Sequence, residues 1–339
     1  MTLEERLVLL VKWGKQLQGT DEYLDAVIER THYHNLWMTP ENVKRSIHAI
    51  ATEFLEEEKL RAFVKHYRID DNIKPLKVGI IMAGNIPAVG FHDFLCCFLC
   101  GHTSLIKLSD KDPYLFPYFI KMMDRLDDRA GNYIKPIDKL EDFEAVIATG
   151  SNNSARYFHE YFGKYPNIIR KNRNSVAVLD GSESVEELRR LGHDILDYFG
   201  LGCRSVSKIY IPVDYDFNPL METIHESNRI ILHGKYKNNF DYNFAIAALN
   251  NVPIVNNGCL ILLEDSSLTS RIASLHYEFY ESKEALHQHL TEIKDQIQCI
   301  VSKDLVPAFE VVDFGQTQCP SLTDYADGVD TMNMLLSIA

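Results

Sequence analysis

The chain has 339 residues, 46% hydrophobic and 24% charged, the balance of a soluble globular protein of about two domains. Its 35 basic residues against 48 acidic ones give a formal charge of −13. That excess argues against a protein that tracks nucleic-acid phosphates or binds an anionic membrane surface. Seven cysteines, an odd number without paired CxxC knuckles, fit reduced thiols better than a disulfide framework.

Residues 1 to 74 read as a helical lead-in. Apolar Leu55, Leu60, Phe63 and Val64 recur at helical spacing among Glu56, Glu57 and Glu58, the pattern of amphipathic covering helices. Glu4 and Glu5 precede an apolar run of only five residues, Leu7 to Val11, short of the ~7–15 of a secretory segment. No stretch approaches the ~18 apolar residues of a transmembrane helix, so a cytoplasmic protein without a membrane span is expected.

From Pro75 the texture changes. Lys77 to Met82 is a short apolar run stopped by Ala83-Gly84-Asn85, and it predicts a strand. Pro87 is placed in the first turn of a helix over 89–100 that ends at Gly101. A strand over 104–108, a helix over 113–126 and a strand over 145–148 follow. The last runs into Thr149-Gly150-Ser151 and another helix, with a further strand over 176–179. This alternation predicts right-handed crossovers and a parallel, Rossmann-like sheet over 75–200, with ligands at the strand C-termini.

Glu183 to Phe199 is an amphipathic helix with Val185, Leu188, Leu191, Ile195 and Leu196 on one side. It ends at Gly200-Leu201-Gly202-Cys203, where the domain seam is expected. A strand over 206–211, closed by Pro212, opens a smaller α/β domain over 201–300. Its further strands are expected near 252–255, 258–263 and 274–280, with helices near 217–230 and 283–296. Residues 301–339, with a strand near 308–312, are expected to return to the core or to an oligomer interface.

Few residues suggest chemistry. Cys203 lies between a Gly-flanked turn and a strand, with Arg204 and Lys208 near enough in sequence to favour a thiolate. Thiolates attack acyl carbons and leave again, although on spacing alone a buried structural cysteine is the commoner case. Asn85, between a strand and a helix, is either an amide donor to an oxyanion or a plain capping residue. Thr149-Gly150-Ser151 is either a phosphate-holding turn or a simple helix cap. Lys107, at a strand end, either reaches an adenosine ribose or its 2′-phosphate or is merely solvated. Arg170, Lys171 and Arg173 either hold an anion or form a solvated loop.

Other candidates fade. Cys96, Cys97 and Cys100 share a helix with Phe94, Leu95, Phe98 and Leu99, which marks a buried core helix. The pairs His32/His34 and His287/His289 lack a third ligand, so no metal is expected. The chain has neither GxGxxG nor Walker A, the two familiar phosphate loops.

In order along the chain stand Met82-Ala83-Gly84-Asn85-Ile86-Pro87, Leu105-Ile106-Lys107-Leu108-Ser109, Ala148-Thr149-Gly150-Ser151 and Gly202-Cys203. This succession resembles the aldehyde dehydrogenase superfamily, with its Asn-x-Pro, Lys-x-Ser, Thr-Gly-Ser and Gly-rich cysteine motifs. The segment Gly200-Leu-Gly-Cys-Arg-Ser-Val-Ser-Lys-Ile209 and the tail Asp324 to Leu336 are more distinctive. They resemble LuxC-type fatty acyl-CoA reductases, and the resemblance covers roughly residues 75–339.

It implies an aldehyde dehydrogenase-like α/β fold, a Rossmann-like cofactor domain joined to a smaller catalytic domain, in a homo-oligomer. Cys203 matches the acyl-accepting nucleophile and Asn85 the oxyanion donor. Met82, Ala83 and Gly84 fall on the cofactor side, Lys107 and Ser109 at the adenosine ribose, and Thr149, Gly150 and Ser151 at the pyrophosphate turn. The implied cofactor is NADPH (or NADH). The implied substrate is an acyl-CoA or an acyl-protein thioester, the latter supplied by a partner acyl-protein synthetase.

Two departures matter. Aldehyde-oxidising members carry a general-base Glu where this chain has Ile169-Arg170-Lys171-Asn172-Arg173, with no carboxylate. Hydrolysis of an acyl-enzyme needs that base and reduction does not, so the resemblance points to thioester reduction giving an aldehyde. The Glu-x-Phe-Gly-Pro motif of the nicotinamide side has no counterpart near 269–273. The rival expectations are an oxidising aldehyde dehydrogenase and a non-catalytic nucleotide-binding subunit.

Overall fold

The lead-in is helical, as its spacing predicts. In this computed structural model, which describes residues 1–71, 74–304 and 306–338, it forms α1 (Leu3–Leu17), α2 (Glu22–His34), α3 (Pro40–Ala49) and α4 (Glu57–Tyr67). Each start is capped. Thr2 and Glu5 make a reciprocal capping box on α1, and Thr39 caps α3 with Pro40 in the first turn. A π-helical turn, Ile50–Phe54, extends α3, and the apolar stripes bury Leu10, Trp13, Ile28, Val43, Leu55 and Leu60.

The first sheet follows. Its elements in chain order are β1 (Lys77–Ile81), α5 (Phe91–Leu99), β2 (Thr103–Lys107), α6 (Leu115–Leu126), β3 (Ile134–Pro136), β4 (Ala145–Thr149), α7 (Asn152–Phe162) and β5 (Asn167–Arg170). The strands lie in the order β3-β2-β1-β4-β5, all parallel. The chain therefore passes from β1 to β2 on one side and returns to β4 on the other. That reversal leaves a crevice at the C-terminal ends of β1 and β4, where open α/β sheets hold ligands.

Helix α5 buries eight of its nine residues, including Cys96 and Cys97, so these cysteines are core packing, as their apolar neighbours predict. Each large apolar side chain buried there contributes on the order of 1.5–3 kcal/mol. The helix starts later than expected. Ala88 (φ +58) and Gly90 (φ +94) are left-handed, which breaks helical geometry until Phe91 and leaves Pro87 in the preceding turn.

The second sheet holds β6 (Asn174–Val178), β7 (Val206–Pro212), β8 (Ile254–Asn256), β9 (Ile261–Glu264), β10 (Ser274–Tyr280), β11 (Ile297–Ser302) and β12 (Val311–Val312). The order is β12-β11-β6-β7-β10-β9-β8, parallel except where β8 meets β9. Helices α8 (Val185–Leu196), α9 (Phe217–His225), α10 (Gly234–Leu249) and α11 (Lys283–Glu292) accompany it. Helix α10 and strand β11 were not anticipated. The apolar residues of α10 are spread around the helix without a one-sided stripe, and only Tyr236, Phe240 and Asn243 are buried, too few for an apolar pattern to register.

The chain parts into two compact units, residues 1–172 with 320–339, and residues 173–319. The sequence reading instead placed domains at 75–200 and 201–300, with the seam at 200–203. Strand pairing explains the difference: β6 hydrogen-bonds to β7 and β11, so it belongs with the second sheet. The tail returns to the first unit through α12 (Thr331–Ser337). There Arg170 donates to Thr331 Oγ1, Tyr67 to Asp330, and His92 and His102 meet the carbonyls of Leu322 and Leu335.

Candidate active site

In the first unit the expected cofactor residues gather at the C-terminal ends of β1, β2 and β4. Strand pairing aligns Ile81 with Lys107 and with Ala148, and the Met82 N–H donates to the Lys107 carbonyl at 3.1 Å. Gly84 lies so close to Ser109 that a Cβ on it would stand 2.5 Å from the serine Oγ. Met82, Gly84, Lys107 and Ser109 therefore form one corner, with Ala83 between the first two. The Met82 side chain is buried against Gly90, so it shapes the turn from behind. Asn85 is exposed just beyond this corner.

The turn carrying Asn85 is held from two sides. Asp112 Oδ2 accepts the Ala88 N–H at 2.9 Å, and Ser46 Oγ donates to the Pro87 carbonyl at 3.0 Å. Burial pushes the Asp112 carboxyl up to about 6, against the pull of the Ala88 and Leu115 N–H groups.

Thr149, Gly150 and Ser151 end β4 and begin α7. Ser151 is the N-cap, its Oγ accepting the Ser154 N–H at 3.2 Å, and the Gly150 N–H donates to the Arg170 carbonyl at 3.3 Å. Those two groups are committed to the fold. An anion at this helix start would instead meet the first N–H groups of α7.

The basic cluster is corrected. Arg170 is buried, with Nη1 2.5 Å from Asp93 Oδ2 and Nη2 on Thr331, and Arg173 donates to the Ile297 carbonyl. Arg170 is thus a structural clamp and not an anion site. A neighbouring carboxylate and a hydroxyl satisfy a charge that burial alone would penalise.

In the second unit Cys203 is exposed, on a turn closed by the Ser205 N–H donating to the Gly202 carbonyl at 3.1 Å. Ahead of it Tyr198 (φ +54), Phe199 (φ +59) and Gly200 (φ +70) run left-handed in succession. Two aromatic residues in that region cost about 1–2 kcal/mol each. Such strain persists only where packing over-determines it. Both aromatic rings are buried, and Phe199 packs against His233 in a tilted pair with ring centres 4.4 Å apart.

The cations expected to assist Cys203 are engaged elsewhere. Lys208 is fully buried, its Nζ 2.6 Å from Glu278 and 2.8 Å from the Ser266 carbonyl. Arg204 Nε donates to the Thr317 carbonyl at 2.6 Å. That carbonyl belongs to a segment which Asp194 organises, accepting from the Gly315 N–H, the Thr317 N–H and Thr317 Oγ1. Burial raises the Asp194 carboxyl despite these three donors.

Sequence reasoning missed Asp112, Asp194, Ser175 and Thr317. Only Asp194 left a signal, as a carboxylate on the same helix face as buried Leu191 and Ile195.

No protein-family model and no curated protein matches the chain. Solved structures do match. An oxidoreductase from Marinobacter aquaeolei superposes with a TM-score of 0.69 at 12% identity, over 94% of this chain and 79% of its own. Aldehyde dehydrogenase 21 from Physcomitrella patens gives 0.69 at 11% identity, over 99% of this chain and 84% of its own. The fold is that of the aldehyde dehydrogenases. An indole-3-acetaldehyde dehydrogenase of P. syringae, solved with NAD+, shares it with a TM-score of 0.63 at 12% identity, over 90% of this chain and 73% of its own.

Within this aldehyde dehydrogenase fold, the first unit leaves room for a nucleotide at the C-terminal edge of its sheet. The Gly84 backbone approaches Ser109 without a side chain between them, and Lys107 ends the adjacent strand half-exposed. The corner of Gly84, Lys107 and Ser109 and the start of α7 are the places where the first unit could hold a ribose and a phosphate. No helix is long and apolar enough to cross a membrane among the described residues.

Proposed function

We propose that this chain is an acyl-thioester reductase of the LuxC type, releasing an aldehyde from an acyl-CoA or acyl-protein thioester. The observation that carries the proposal is the exposed Cys203 thiol on its braced turn. The direction rests on the segment Ile169 to Arg173, which carries Arg170, Lys171 and Arg173 and no carboxylate, with Arg170 buried against Asp93. A base able to activate water for hydrolysis of an acyl-enzyme is missing from that segment.

The chemistry follows from these groups. Cys203 Sγ bonds to the acyl carbon, the bond to the departing thiol breaks, and that thiol leaves with the proton. The oxyanion of the tetrahedral stage is assigned to the Cys203 N–H and, by the resemblance, to the Asn85 amide. NADPH or NADH, when bound, supplies the hydride that reduces the Cys203 thioester to the aldehyde level. Collapse of the resulting thiohemiacetal frees the aldehyde and regenerates the thiol. We assign the chain to a homo-oligomer in the cytoplasm, with an acyl-protein synthetase as one source of acyl groups.

The test is intact-mass spectrometry of wild type and Cys203→Ala after incubation with acetyl-, octanoyl- and palmitoyl-CoA, followed by NADPH. The expected result is an acyl adduct on wild type alone, lost on adding NADPH as aldehyde appears. Acid in place of aldehyde, from an aldehyde with NADP+, would support the oxidising reading. Cofactor binding without any adduct would support a non-catalytic subunit.

A further inference from the structure

We propose that Ser175, on β6, is a positioning residue that sets the direction of the Cys203 thiol by holding the peptide group that follows it. The inference rests on Cys203 being the acyl-accepting nucleophile.

The geometry lies wholly within the second unit. Two planar peptide groups flank the Cα of Cys203, and their orientations fix its φ and ψ and hence the direction of the Cα–Cβ bond, which leaves Sγ only the staggered positions of χ1. The first is pinned through the Gly202 carbonyl, which accepts the Ser205 N–H at 3.1 Å. In a trans peptide the N–H lies opposite the carbonyl, so the Cys203 N–H is directed away from that closing bond.

The second peptide group is pinned through the Cys203 carbonyl, which Ser175 Oγ reaches at 3.0 Å. Ser175 itself is 0% exposed and belongs to a strand paired on both sides, so its hydroxyl comes from a rigid element. Beneath it Cys299, on β11, places its Sγ 3.1 Å from the same hydroxyl. Because the serine proton goes to the carbonyl, the Cys299 S–H is left to donate to Oγ. A buried thiol thus orients a buried hydroxyl, and the hydroxyl orients the nucleophile's backbone. Its hydroxyl is committed to the Cys203 carbonyl and the Cys299 thiol, so its part is positional.

Positioning predicts a split between two reactions of one sulfur. Attack on a thioester requires Sγ to meet the acyl carbon at a set obtuse angle to its C=O while a donor holds the carbonyl oxygen, a tighter demand than that of a small alkylating reagent. The experiment uses the full chain as wild type, Ser175→Ala, Ser175→Cys and Cys299→Ala. It measures kcat and KM for octanoyl-CoA reduction, and Cys203 alkylation by iodoacetamide across the neutral to alkaline range. Peptide mapping separates Cys203 from the other exposed cysteine, Cys319.

The expected result for Ser175→Ala is a kcat lower by about tenfold to a hundredfold, with KM and the alkylation profile unchanged. Ser175→Cys, which keeps a weak donor, should fall between, and Cys299→Ala should show a smaller loss in the same direction. Those two variants carry the test if Ser175→Ala does not fold. Unchanged kcat in the variants, or alkylation falling in step with reduction, overturns the proposal. If wild type alkylates normally at Cys203 yet takes no acyl group, the nucleophile reading itself has failed and this inference goes with it.

Discussion

The carboxylate of Asp112 accepts the main-chain N–H of Ala88 at 2.9 Å, from a residue only 6% exposed. A single buried acid therefore holds a left-handed alanine three residues beyond Asn85. Its carboxyl is raised to about 6 chiefly by burial, with Ala88, Leu115 and then His34 acting the other way. The folded chain binds this proton more tightly than the unfolded chain does. Stability from this group is thus greatest below the ordinary carboxyl range and is lost as pH rises towards about 6. Asp112→Asn keeps an acceptor for Ala88 and removes the charge. It should raise the unfolding free energy by about 1–3 kcal/mol at about pH 8, with no gain at about pH 4. Denaturant titrations at both pH values check this, and equal stabilities at the higher one would refute it.

The Arg170–Asp93 pair predicts a large asymmetry. Both side chains are almost wholly buried, and Arg170 also ties down Thr331 of the tail. Asp93→Asn leaves a guanidinium without its counter-charge and should cost about 3–5 kcal/mol. Replacing both partners, as Asp93→Leu with Arg170→Met, should recover most of that loss. The comparison is made by urea unfolding of the single and double variants.

Gly84 should tolerate no side chain while Ser109 stands opposite. The Cβ of Gly84→Ala would lie 2.5 Å from Ser109 Oγ and 2.8 Å from its Cβ, so one of the two turns must shift. Overpacking of this kind costs about 1–3 kcal/mol. NADPH affinity should fall with it, and adding Ser109→Gly should restore the stability but not the affinity, because it removes a hydroxyl proposed to meet the ribose. Calorimetric titration of the three variants reads the affinity. Full affinity in Gly84→Ala would remove this corner from the nucleotide site.

Asn85 is tested by separating turnover from binding. If its amide stabilises the oxyanion, Asn85→Ala should lower kcat by roughly 10²–10³ and leave the Kd for NADPH unchanged. A change in Kd alone would make Asn85 a turn residue.

Local signals made much of the first unit legible. Apolar runs ended by Gly84 and Gly150 marked β1 and β4, and Gly101 (φ +71) closed α5 where a C-terminal glycine was expected. The rest was hidden for identifiable reasons. Two left-handed residues before Phe91 delayed α5, and apolar residues spread around the helix concealed α10. Lys208 looked available to Cys203 because the two are close in sequence. It is Glu278, on the neighbouring strand β10, that takes its charge.

The sequence by itself determined the alternation of strands and helices, the placing of glycines at turns and the exposed chemistry on offer. These depend on residues within a few positions of one another, where periodicity and backbone freedom act directly. Only the tertiary structure decided which polar groups meet. Ser175 reaches Cys203 across 28 positions, Arg170 reaches Asp93 across 77, and Asp194 reaches Thr317 across 123. Sheet order and strand register set those partnerships. A buried polar group then takes the donor or acceptor the fold brings within about 3 Å, because leaving it unpaired costs more than any local preference can repay.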